Sequence, residues 1–136
     1  MQNLVISLAL NGALVLLVSM IAGLFLYLAI RGQREQRAWH LLHAGGSGRG
    51  VMLLAMAAII EYAVIPLWLL QVAVWLMIAF VWASMAAMAI YAVSGERGLQ
   101  CVGSLPNRLV YIFYAIATVA VFPGMGLLIY GFIEAI

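Results

Sequence analysis

The sequence predicts an all-α, polytopic membrane protein, a bundle of four transmembrane helices. Three observations carry this. The chain of 136 residues is 68% hydrophobic and 7% charged, its mean hydropathy is +1.21, and four apolar runs each match the ~20 residues that span the hydrocarbon core. A soluble domain with a polar skin is excluded on composition. The runs have helical length and lack the period-two alternation of a membrane barrel. With every backbone group needing an internal partner in lipid, helices are the remaining solution.

The first run covers residues 3–30. No positive region precedes it, and it is longer than the apolar core of a cleaved signal, so it is expected to stay as a helix. Asn11 within it is expected to act as polar glue between helices. A polar loop at 31–38 holds Arg31, Arg34 and Arg37. The second helix is expected at 39–64, a tight turn around Ile65 and Pro66, and the third helix at 66–93. A glycine-containing loop at 94–106 leads to the fourth helix at 107–136. There Pro123-Gly124 is expected to bend the helix, because proline lacks an N–H and crowds the preceding turn. Trp39, Trp68, Tyr111 and Tyr114 lie near helix ends and read as interfacial anchors.

The formal charge of +2 comes from arginines and glutamates alone. So few cations exclude a nucleic-acid surface. Cys101 is a single cysteine, which excludes an internal disulfide and leaves no zinc-ligand spacing. Catalytic triads, paired carboxylates and phosphate loops are absent, which argues against hydrolysis by those routes. The loop arginines fall on one side: Arg31, Arg34 and Arg37 in the first loop, Arg97 and Arg108 around the third. Only Glu61 and Glu134 mark the other side. The positive-inside rule then places loops one and three in the cytoplasm and both termini outside, in a cell (inner) membrane.

The start of the second helix, Trp39-His-Leu-Leu-His-Ala-Gly-Gly-Ser-Gly-Arg-Gly50, does not read as lipid-facing sequence. Arg49 at this depth costs about 2.5–3.5 kcal/mol on insertion scales, and such groups face a bundle interior, a cavity or a functional site. At ~100° per residue His43, Gly46, Ser47 and Gly50 share one face. Two readings fit that face. In one, Gly46 and Gly50 form a close-packing seam with His43 hydrogen-bonded between helices. In the other, His43 ligates haem iron and the small residues leave room for the flat macrocycle. His40 is too close along the same helix to serve the opposite face of one macrocycle, so the iron would keep an open position. Tyr91, near the end of the third helix, matches the depth of His43, and the two are expected to line one cavity.

His43, then a polar residue six positions on, then Gly50 and Met52, resembles the second-helix segment of styrene oxide isomerase and the related hydroxylaminobenzene mutases. Tyr91-Ala-Val-Ser, Arg97-Gly-Leu99 and Leu105-Pro-Asn107 are similar to the end of the third helix and the following loop in that family, with a shorter loop here. The resemblance implies a trimeric four-helix membrane enzyme carrying haem b. Its ferric iron would take the substrate oxygen while an intramolecular rearrangement proceeds, with His43 as axial ligand and Tyr91 in the substrate pocket. Arg49 departs from the pattern, because those isomerases carry an asparagine there that contacts substrate. Arginine is longer, permanently charged and cannot accept a hydrogen bond. It could instead pair with a haem propionate.

The expected activity is rearrangement of a small lipophilic aromatic, an aryl epoxide to an aldehyde or an arylhydroxylamine to an aminophenol. Tyr91 and Arg49 would orient substrate or stabilise developing charge. The competing readings are a membrane b-type haem electron carrier or sensor, and a cofactor-free accessory or transport subunit.

Overall fold

A computed structural model describes residues 1–136, and its four helices are each long and apolar enough to cross a membrane. They are α1 (Gln2–Arg31), α2 (Arg37–Ile59), α3 (Leu67–Ser94) and α4 (Leu105–Ile133), and α2 ends in a single 3-10 turn, Ile60–Tyr62. The all-α expectation stands, while several ends move. α2 begins two residues before Trp39 and tightens before Val64. α4 begins at Leu105, before Asn107, because Ser104 caps it: its hydroxyl accepts from Asn107 N, and Pro106 falls in the first turn. Backbone N–H groups in the first turn have no intrahelical acceptor, so proline forfeits nothing there. α3 stops at Gly95, whose φ of +75° and N–H to the Tyr91 carbonyl make a left-handed cap. α4 runs through Pro123 without interruption.

Two antiparallel hairpins make the bundle: α1 packs chiefly on α2 and α4 on α3, and the hairpins meet through α2 and α3. α3 is the most buried helix, which is why its buried residues, from Leu70 to Tyr91, occupy so much of its circumference. The α1–α2 seam is built from small residues. Gly12 meets Gly50, Ser19 meets Gly46, and Gly23 meets His43, a register running in opposite directions along the two helices. Apolar side chains gain nothing by leaving lipid for one another, so close backbone approach and interhelical hydrogen bonds hold such helices together. The Asn11 expectation is borne out: Trp82 Nε1 donates to Asn11 Oδ1 at 2.7 Å, tying α3 to α1, and Asn11 Nδ2 returns to Ser7 O at 2.8 Å.

At the other end of the bundle Val64 N donates to Gly131 O at 2.8 Å. The 63–66 connection therefore shares an end with the C-terminus, and residues 32–36 and 95–104 share the opposite end. The longer of those loops is organised by Asn107. Its carboxamide accepts from Gly98 N at 2.9 Å and donates to the Gln100 and Val102 carbonyls at 2.8 and 2.7 Å. Cys101 lies exposed in this loop.

Candidate functional site

His43 is held by α1. Its Nδ1 lies 2.8 Å from the Ser19 carbonyl oxygen. A carbonyl only accepts, so Nδ1 carries the proton, and in the neutral ring Nε2 keeps the lone pair. The ring rests against the backbone of Gly23, where a Cβ would stand 2.9 Å from Nδ1 and 3.0 Å from Cε1. Glycine here lets the imidazole lie close to α1 and reach its acceptor. The Ser19 hydroxyl, fully buried, contacts the His43 carbonyl and lies 2.7 Å from Ser47 Oγ, which itself reaches the His43 carbonyl at 2.8 Å. Two hydroxyl protons serve two of these three contacts at a time. The ring remains half-exposed, and His40 is exposed to the surroundings one turn earlier.

The glycine face is where the sequence expectation needs correction. Gly46 and Gly50 do not leave space for a ring: both are buried. A Cβ on Gly46 would meet Met85 and Ser19 at 2.9–3.1 Å, and one on Gly50 would meet Leu16 and the Gly12 carbonyl at 2.7–2.9 Å. Their small size admits α1 and α3. Ser47 is spent on Ser19. Among the small residues of this half-helix the open positions are Ala44, which is exposed, and Gly48, with nothing within 4 Å of a Cβ. Trp39 also proves more than an interfacial anchor, because its ring stacks on Phe25 with centroids 4.8 Å apart. The two aromatics line a cavity of about 280 Å³ with Leu28, Arg34 and Glu35, one helical turn from His43.

Arg49 points elsewhere. Six residues separate it from His43, which at ~100° each leaves about 120° between them around the helix axis. Its Nη1 donates to Gly45 O at 2.9 Å and its Cζ lies 5.6 Å from the Phe80 ring centroid. Its Nε is buried without a partner. Its charge reaches Tyr114 on α4, and Tyr114 packs against the cluster that holds Tyr91. Tyr91 itself is buried against Ala38, Ala87 and Val110. Within one chain, then, Tyr91 and His43 do not line a common cavity. Tyr91 lies between α2, α3 and α4, and His43 belongs to the α1 side.

Four participants escaped the sequence: Ser19, Gly23, Phe80 and Tyr114. Gly12, Ser19 and Gly23 recur at spacings of seven and four, the small-residue period of a helix seam, and that signal could have marked the face of α1 that receives His43. Nothing in the sequence distinguishes Phe80 or Tyr114 from the other aromatics near them.

As a donor set this arrangement offers one oriented imidazole, and no three metal-ligating side chains cluster. A single protein ligand suits a metal that brings its own macrocycle. The proton on Nδ1 and its backbone acceptor are what a ligating histidine needs behind it, so the residues present fit haem at His43.

Comparison with curated proteins found no match. A family model described as styrene oxide isomerase matches residues 6–133, which takes in nearly all of the four helices. The chain belongs to the styrene oxide isomerase family and is an isomerase.

Proposed function

We propose that this isomerase depends on haem b, ligated by His43, and rearranges a small lipophilic aromatic oxygenate: an aryl epoxide to an aldehyde, or an arylhydroxylamine to an aminophenol. The observation that carries the proposal is the Nδ1 contact to the Ser19 carbonyl, which leaves Nε2 of a membrane-embedded, half-exposed histidine with its lone pair free. Packing alone accounts for Gly46, Gly50 and the His43–Ser19 hydrogen bond, but it leaves Nε2 without a use. When bound, the ferric haem would supply Lewis acidity, the chemistry that a redox-neutral rearrangement requires. The chain's own work is to fix the imidazole tautomer through Ser19, to exclude water by its apolar surroundings, and to orient substrate with Tyr91 and Arg49.

Those two flanks of α2 face different directions, so a site using both is completed between copies of the chain. We therefore propose a homo-oligomer, a trimer by family resemblance, in which the His43 side of one copy meets the Arg49 side of the next. The cytoplasmic placement of the arginine-rich loops, with both termini outside a cell (inner) membrane, is part of the same proposal and rests on charge asymmetry.

The test is the visible spectrum of detergent-purified protein, oxidised and reduced, for the parent, His43→Ala and His40→Ala. A Soret band in the parent that small oxygen or nitrogen ligands perturb, lost in His43→Ala and kept in His40→Ala, is the expected result. Stoichiometric haem with normal turnover in His43→Ala would overturn the assignment. A low-spin reduced spectrum insensitive to added ligands would favour an electron carrier.

A further inference from the structure

The chain gives Arg49 no counter-charge. Glu35 and Glu96 lie in loops and Glu134 after α4, so the one carboxylate within a candidate span is Glu61, at the far end of the second span from the arginine-rich loop. What the guanidinium receives is one carbonyl, Gly45 O, and the face of Phe80. Most of its N–H donors remain uncommitted, and Nε is both buried and unpartnered. A buried donor without an acceptor carries the full desolvation penalty, and more when it is charged.

Snorkelling does not relieve this. The side chain folds back only to Gly45, eight residues from the Arg37 start of α2. At ~1.5 Å per residue that is about 12 Å inside the helix end, deeper than lipid phosphates lie. Tyr114 on α4 is the titratable side chain whose field reaches the guanidinium. Tyr114 also forms a wall of a groove of about 390 Å³ with Gly98, Tyr111, Ala115, Thr118 and Val119, room enough for a single aromatic ring. Cation, orphaned Nε and aromatic platform call for one planar, doubly accepting anion, and the arginine fork matches a carboxylate.

We propose that Arg49 receives a carboxylate carried by the substrate, so that this isomerase takes aromatic oxygenates bearing an anionic group in preference to neutral ones. The proposal rests on the isomerase reading for the aromatic part of the substrate, while the anion is argued from Arg49 alone.

The experiment measures equilibrium binding of phenylacetate and of phenylacetamide, its neutral isostere, to the full-length protein in nonionic detergent, read by tryptophan fluorescence. Phenylacetate is expected to bind at least about tenfold more tightly, the ratio that ~1.4 kcal/mol supplies. Arg49→Gln should bring the two affinities within about twofold, and Arg49→Lys, which keeps the charge without the fork, should retain an intermediate preference. Far-ultraviolet dichroism checks that each variant is folded. Equal affinities in the parent, or a preference that survives Arg49→Gln, would overturn the proposal. Repeating the measurement in phosphatidylcholine and in phosphatidylglycerol nanodiscs separates the anion's source. An unchanged ratio supports a substrate carboxylate, and loss of the preference in phosphatidylglycerol means a lipid phosphate occupies Arg49, which overturns it. The ratio needs no turnover, so a chain with no isomerase activity still reports on Arg49, and failure of the haem reading is seen separately in the absorption spectrum.

Discussion

Gly23→Ala adds one methyl group at the point where α1 supports the candidate ligand. The new Cβ would lie 2.9 Å from His43 Nδ1, 3.0 Å from Cε1 and 3.5 Å from Cγ. Carbon contacts settle near 3.5–4.0 Å, so the ring must move by roughly half an ångström or more. The Nδ1 contact to Ser19 O starts at 2.8 Å, and displacement away from α1 carries it toward the ~3.5 Å beyond which no hydrogen bond remains. Loss of such a partner behind a ligating histidine costs about 10- to 100-fold in metal affinity, roughly 1.4–2.7 kcal/mol. The fold should be spared. The methyl meets only a movable side chain, and alanine in place of glycine within a helix is favourable by up to ~1 kcal/mol. Haem titration of the apoprotein, followed by Soret absorbance, is expected to show the weakened binding alongside an unchanged dichroism melt. Ser19→Ala is the control, because it removes the hydroxyl and keeps the carbonyl that His43 uses. If Gly23→Ala binds haem as tightly as the parent, the tautomer argument for His43 is wrong.

How far the sequence reveals this protein depends on whether a feature is local. Four spans were legible because each is an apolar run measured against a fixed bilayer thickness. The start of α4 was not, since Pro106 reads as a breaker until Ser104 is recognised as the cap that makes it a first-turn residue. His43 stood out as an imidazole at membrane depth. Its supports, Ser19 and Gly23, acquire meaning only from the antiparallel register of α1 on α2, which hydropathy does not encode. Grouping Tyr91 with His43 failed for a related reason. Depth along a span says nothing of direction around it, and the ~120° between His43 and Arg49 sends them to different neighbours. The glycines were legible as small but open to two readings: the same lack of side chain that would admit a macrocycle admits a helix, and Gly12, Ser19 and Leu16 are already there.

Two further predictions concern the whole assembly. With a single cysteine placed at position 34 or position 2 of an otherwise cysteine-free chain, an impermeant thiol reagent applied to intact cells should label residue 2 and spare residue 34, and the reverse pattern would invert the topology. The second compares two glycines on α2 that lie two residues apart. Leucine at Gly50 meets Leu16 and the Gly12 carbonyl at under 3 Å. A backbone oxygen cannot yield without its helix, so overpacking of about 1–3 kcal/mol or more should lower the melting temperature and loosen α1 from α2. A Cβ at Gly48 meets nothing within 4 Å in the single chain, so the melt of Gly48→Leu as a separated monomer should match the parent. If the open, small-residue side of α2 at Ala44 and Gly48 is where a second copy approaches, Gly48→Leu should shift native mass in mild detergent from oligomer to monomer while helicity is kept. Small residues permit that approach by letting backbones come close, and a leucine there holds them apart. An oligomer that survives Gly48→Leu unchanged would move the subunit contact off this face, and with it the proposal that the His43 side of one copy is closed by the next.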